Sequence, residues 1–284
     1  MAERNADVLD LGGRVAVVTG AASGQGRAAT RRLHRAGATV AALDLNAEGL
    51  ATLGDGILTL AVDTADPDRV AEAFEEIESS LGPAYILASA AAVWAGWNSI
   101  VDMDYGDVER IFRINTFGTL YCVKNAARQM IRAAEGGRII MWSSIAAARG
   151  QAGDIPYSGS KAALEGMARP LAAELAQHEI TVNVIAPGAI DTPMLGGTDL
   201  SFYDTVLPGR RIGTPEEIAE LVAWLCSPLS RFVTGAVIPI NGGVASINGP
   251  WALAHTFHQL EPDLVDRMKA ALYGEDQPAS TSYS

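Results

Sequence analysis

The sequence predicts an α/β fold, a doubly wound seven-stranded parallel sheet with helices on both faces, followed by a C-terminal helical tail. Three observations lead there. Short apolar runs alternate with amphipathic helical segments from about Arg14 to Ile240. Several of those runs are continuously apolar, as parallel strands covered on both faces must be. A glycine-rich turn also follows the first run directly and opens a helix, the start of a βαβ unit with its right-handed crossover.

The strands are expected at 14–19, 39–43, 57–62, 85–90, 138–143, 181–186 and 236–240. Between them the helices carry their own punctuation. Asp66-Pro67 supplies an N-cap and a first-turn proline, and Val70, Phe74, Ile77 and Leu81 then fall on one stripe. Thr214-Pro215-Glu216-Glu217 has capping-box spacing ahead of Ile218, Leu221, Val222 and Leu225. Residues 194–213 form a connection far longer than the usual handful, which reads as a lid over a site. Past Gly243, helical patterns at 251–260 and 262–272 precede a stretch, 274–284, expected to be disordered. The expected organisation is one domain over 1–249 and an extension over 250–284.

Composition narrows the function. The chain has 284 residues, 49% hydrophobic and 19% charged, with a net charge of -12 that disfavours nucleic acid, whose phosphates require clustered cations. Cys122 and Cys226, its only cysteines, sit in apolar helical patterns and read as core residues rather than a disulfide. No apolar run is long enough for a membrane span, and residues 1–10 lack the apolar core of a secretion signal, so a cytoplasmic protein is expected. His255 and His258 stand three apart but lack a convincing third ligand, so no metal is expected.

The turn Thr19-Gly20-Ala21-Ala22-Ser23-Gly24-Gln25-Gly26 lies between strand and helix. Glycines there let the backbone approach a pyrophosphate, whose charge then meets a helix N-terminus. Gly20, Ser23, Gly24, Gln25 and Gly26 are therefore candidate cofactor contacts. Asp44 ends the second strand some twenty residues later, where a carboxylate accepts from adenosine ribose hydroxyls and repels a 2′-phosphate. No arginine accompanies it in Leu43-Asp44-Leu45-Asn46, which favours NAD over NADP and adds Leu45 to the contacts.

With these residues in view, the chain resembles the short-chain dehydrogenase/reductase family, whose single-domain members have this Rossmann fold. The likeness runs from about Leu11 to Gly243. It rests on Thr19 to Gly26, on Asn115 in Arg113-Ile114-Asn115-Thr116-Phe117-Gly118, and on Ser144 thirteen residues ahead of Tyr157-Ser158-Gly159-Ser160-Lys161. Pro187 to Pro193 and Asn241-Gly242-Gly243 match the later motifs. The resemblance implies a catalytic set of Asn115, Ser144, Tyr157 and Lys161. It also implies cofactor contacts from Asp63, Thr64, Ala90, Asn115, Tyr157, Lys161, Pro187, Gly188, Ile190 and Thr192, and a dimer or tetramer. Two departures stand out: Ala88-Ser89-Ala90-Ala91 replaces the family's Asn-Asn-Ala-Gly, and Gln25 its usual aliphatic residue.

Tyr157 and Lys161 are four apart behind Pro156, which suits a helix's first turn, so their side chains share a face. A free tyrosine, with pKa about 10, is too weak an acid for work near neutrality. The expectation is that the lysine ammonium and an oxidised nicotinamide lower it, so that Tyr157 exchanges the alcohol proton during hydride transfer. Ser144 is then expected to hold the substrate oxygen, and Asn115, by resemblance, a water linking Lys161 to solvent. Trp94 and Trp97, after the fourth strand, are expected with Phe202 and Tyr203 to line a pocket for a bulky, apolar or cyclic substrate. Trp142 reads as core. Two other functions remain open: an epimerase or dehydratase using bound NAD without net NADH change, and a dinucleotide sensor, which has no need of all four catalytic side chains.

Overall fold

A computed structural model describes residues 9–150, 152–196, 207, 209 and 211–244. The expected tail helices, the disordered end, His255, His258, Phe202 and Tyr203 lie outside the described residues. All seven strands form within one or two residues of expectation: β1 Val15–Thr19, β2 Thr39–Asp44, β3 Ile57–Ala61, β4 Ile86–Ser89, β5 Gly137–Trp142, β6 Ile180–Pro187 and β7 Val237–Ile240. They make one parallel sheet in the order β3-β2-β1-β4-β5-β6-β7. Strand order reverses between β1 and β4, and the crevice beyond their carboxyl ends is where such sheets bind ligands.

The helices are α1 Gly24–Arg35, α2 Ala47–Ala51, α3 Pro67–Leu81, α4 Tyr105–Phe112, α5 Thr119–Ala133, α6 Ile145–Arg149, α7 Ile155–Leu175 and α8 Pro215–Cys226. Both predicted caps form. Asp66 accepts from the Asp68 and Arg69 amides, and Thr214 and Glu217 close a reciprocal capping box. One core layer packs Phe74, Ile77, Met130 and Leu164 beneath the sheet, and the other packs Leu33, Trp142, Ile218 and Val222 on its opposite face. Cys122 and Cys226 are buried, and burial pushes both thiols up to about 12, as core residues without a chemical role.

Two local features position the site. A turn of π-helix, Arg113–Gly118, joins α4 to α5 and carries Asn115 into the interior. In α7 the positions 157, 161, 164, 168, 172 and 175 repeat at helical spacing, and the last four are the buried Leu164, Ala168, Ala172 and Leu175. Tyr157 and Lys161 extend that inward stripe, which is why a lysine ends up 2% exposed. The long connection after β6 is cinched at its base, where Asp191 donates to Gly213 and Gly213 to Ala189.

Candidate active site

The carboxyl ends of the strands open a cleft of about 280 Å³. Its walls include Gly20, Ser23, Gly24, Gln25 and Gly26 from the first turn, Asp44 and Leu45, Asp63 and Thr64, Ala90, Lys161 and Thr192. The glycines are demanded by the geometry. A Cβ on Gly26 would lie 2.1 Å from the Gly20 carbonyl oxygen, and Gly20, at φ +67°, has the Ala91 backbone 2.8 Å from where its Cβ would stand. The turn is thus a backbone cradle pressed against the end of β4, with the N-terminus of α1 opening into it. Ala91, in place of the family's glycine, lines the cleft, and its amide donates to Thr19 Oγ1 at 3.1 Å. Ser89 points away from the cleft and donates to Thr119 Oγ1 at 3.2 Å.

Asp44 does not cap the helix that follows; Asn46 does. Its Oδ2 accepts from the Ala22 amide and Oδ1 from Asn46, both at 2.9 Å, so the carboxylate braces the glycine turn while lining the cleft. This donor set fits a dinucleotide: amides and a helix N-terminus for the pyrophosphate, and an acid for ribose hydroxyls.

Three of the catalytic candidates, Ser144, Tyr157 and Lys161, lie together. The Ser144 hydroxyl hydrogen-bonds the Tyr157 phenol and favours its ionised form. Lys161 Nζ lies 5.6 Å from the centre of the Tyr157 ring and donates to the Trp142 carbonyl at 2.8 Å. Yet the protein by itself does not acidify Tyr157. Burial pushes the phenol up to about 12, with Ser144 offsetting part of the shift and the Asp154 charge adding to it. Lys161, buried with no counter-ion among the described residues, is pushed down to about 7 and is therefore a weak source of positive charge near neutrality. Proximity was legible in the Tyr-x-x-x-Lys spacing, whereas desolvation was not.

Asn115 is fully buried, and its side-chain amide is committed to protein groups. Oδ1 accepts from the Val93 amide at 2.8 Å, while Nδ2 donates to the Val93 carbonyl at 3.0 Å and Ser160 Oγ at 3.1 Å. The side chain thus anchors the segment after β4. Pro187 ends β6, Gly188 packs against Asn241, and Ile190 is 4% exposed in the core beside a second cavity. None of the three lines the main cleft. Trp94 and Trp97 stack edge-to-face at 5.4 Å, and Trp94 Nε1 donates to Asp154.

Several cleft residues escaped the sequence reading: Val93, Ile114, Pro193, Met194 and Trp142. Trp142 is core, as read, and is also wall, because its Nε1 donates to Gln25 Oε1 at 3.0 Å. An unusual polar residue inside the glycine turn was the one available signal.

Fold and cleft together define an oxidoreductase built to hold a nicotinamide dinucleotide, and the chain belongs to the short-chain dehydrogenase/reductase family. A family model described as enoyl-(acyl carrier protein) reductase matches residues 20–245. The chain is 36% identical over 244 residues to cis-4-hydroxycyclohexanecarboxylate dehydrogenase of Sinomonas cyclohexanicum, covering 82% of this chain and 97% of that protein. It is 33% identical over 247 residues to 3-oxoacyl-(acyl-carrier-protein) reductase FabG of Aquifex aeolicus, covering 83% and 99%. Among solved structures, that of gox2181 superposes with a TM-score of 0.79 at 27% identity, covering 84% of this chain and 98% of the other. No described helix is long and apolar enough to cross a membrane.

Proposed function

We propose that the chain is an NAD-dependent dehydrogenase that interconverts a secondary alcohol and a ketone, with Tyr157 as general acid/base and a bulky, apolar or cyclic substrate. The observation that carries this reading is the inward stripe of α7. It sets Tyr157 against the Ser144 hydroxyl and one turn from Lys161, which lines the glycine-walled cleft. In oxidation the Tyr157 phenolate takes the hydroxyl proton while the carbinol carbon gives up its hydride, and Ser144 holds the oxygen in place. A bound dinucleotide would supply the hydride acceptor and, when oxidised, a positive charge that favours the phenolate. Gly20 to Gly26 would hold the pyrophosphate, Asp44 the adenosine ribose, and Lys161 the nicotinamide ribose.

A relative named for a hydroxycyclohexane acid supports a ring-shaped substrate, and the Trp94–Trp97 pair stands in the segment after β4 whose Val93 lines the cleft. The direct test follows absorbance at 340 nm with NAD and a panel of cis-4-hydroxycyclohexanecarboxylate, sterol, terpene, sugar and polyketide alcohols. Turnover of a cyclic or apolar alcohol is expected. Tight NAD binding without turnover of any alcohol would favour a sensor, and conversion without net NADH an epimerase or dehydratase.

Coenzyme choice is tested at Asp44. Asp44→Asn keeps an acceptor for the Ala22 amide, gives up the one for the Asn46 amide, and removes the charge that would repel a 2′-phosphate. Relative efficiency with NADP is expected to rise about tenfold or more, with a smaller loss in NAD affinity. An unchanged ratio would refute the assignment of NAD to this acid.

A further inference from the structure

The mechanism above leaves unused a buried acid at the start of the catalytic helix. Asp154 precedes Tyr157 by three residues, is 3% exposed, and holds the N-cap position of α7. Aspartate at that position normally accepts from the first helical amides, yet this side chain bonds none of them. Instead Oδ1 accepts from Trp94 Nε1 at 3.1 Å, its one side-chain hydrogen bond among the described residues. One residue earlier, the Gly153 carbonyl accepts from the Asn98 amide at 2.8 Å. The segment following β4 is therefore pinned to the N-terminus of α7 twice, by backbone at Asn98 and by an indole at Trp94. Its near end is held by Asn115 through Val93, and Trp97 packs edge-on against the pinned indole.

We propose that Asp154 is a positioning residue of this active site, fixing Trp94 and the segment 93–98, whose Val93 lines the cleft, against α7, while its charge, one helical turn from Tyr157, opposes the phenolate. The first half of this statement stands on geometry alone. The second rests on the reading of Tyr157 as acid/base.

The electrostatics run the same way. Burial pushes the Asp154 carboxyl up to about 7, with the Trp94 hydrogen bond pulling it partly back. Among the described residues no lysine or arginine pairs with it, and its charge raises the phenol's pKa. Ser144 and Trp94, both uncharged, also face this pair, and Lys161, its Nζ 5.6 Å from the Tyr157 ring centre, brings an opposing positive charge to the phenol when protonated. Above pH 7 an ionised Asp154 therefore opposes the phenolate; below it, the neutral acid does not. Removing the charge while keeping an acceptor lowers the phenol's pKa and moves the rise of alcohol oxidation to lower pH.

The test uses the full chain with NAD and an alcohol identified in the panel, comparing Asp154→Asn, Asp154→Ala and Trp94→Phe. Asp154→Asn is expected to keep KM within about twofold and to shift the rising limb of kcat/KM down by about half a pH unit or more. Asp154→Ala and Trp94→Phe, which both cut the tether, are expected to raise KM about tenfold with a smaller change in kcat. A readout independent of turnover is tryptophan emission from pH 5 to 9. A transition near 7 is expected in the wild type and is expected to lose amplitude equally in Asp154→Asn and Trp94→Phe, the remainder belonging to Lys161 beside Trp142. A wild type that oxidises no alcohol but shows this loss of amplitude in both variants would remove the proposed function and leave the tether standing. An emission transition undiminished in Asp154→Asn would overturn the tether, as would an unchanged KM in both tether variants. A pH limb of Asp154→Asn superimposing on that of wild type would overturn the electrostatic half.

Discussion

Tyr157→Phe is expected to reduce hydride transfer by about a thousandfold or more at every pH while leaving dinucleotide binding intact. Loss of general acid/base catalysis alone is worth about 10²–10⁴ in rate. The ring that packs beside Lys161 remains in phenylalanine, so the cleft keeps its shape and the melting temperature should move little. Two measurements check this: single-turnover formation of NADH, and quenching of protein fluorescence by NAD. Full-speed hydride exchange in the variant would end the proposal that this phenol handles the proton, whatever the substrate.

Lys161→Met is expected to be both inactive and more stable, a pairing that an ordinary surface lysine would not produce. Lys161 falls from 10.5 to about 7 on burial, so the unfolded chain binds more protons than the folded one between those values. Stability then rises with pH across that window and is lowest below it. At pH 7 the penalty amounts to at most about 4 kcal/mol. Methionine removes it, giving up one hydrogen bond to the Trp142 carbonyl worth about 1 kcal/mol. The variant should therefore melt several degrees higher at pH 7, with the gap narrowing towards pH 10. Activity should fall at least a hundredfold, as the ribose and the phenol lose their neighbouring donor. A variant that melts lower than wild type at pH 7 would mean that the buried amine is not the cost described here.

Much of this molecule could be read from its residues in order. The seven strands, the caps at Asp66 and Thr214, the glycine cradle and the shared face of Tyr157 and Lys161 all depend on neighbours within a few positions, where spacing and turn chemistry act. What escaped depends on distance along the chain. Asp154 has no local signal of its role, because its partner is a tryptophan sixty positions away. Trp142 was placed correctly in the core by strand alternation, but its partner Gln25 is 117 positions distant. The desolvation of Tyr157 and Lys161 is hidden from the sequence for the same reason. Spacing fixes which groups meet, and only the assembled cleft fixes how much water they lose.

Trp142 bridges two walls of the cleft. Its ring nitrogen donates to Gln25 in the glycine turn and its own peptide oxygen accepts from the Lys161 amine on α7, so a single residue ties the first turn to the catalytic helix. A chain with an aliphatic side chain in place of Gln25 would lose that mechanical continuity, and the two walls would then adjust separately.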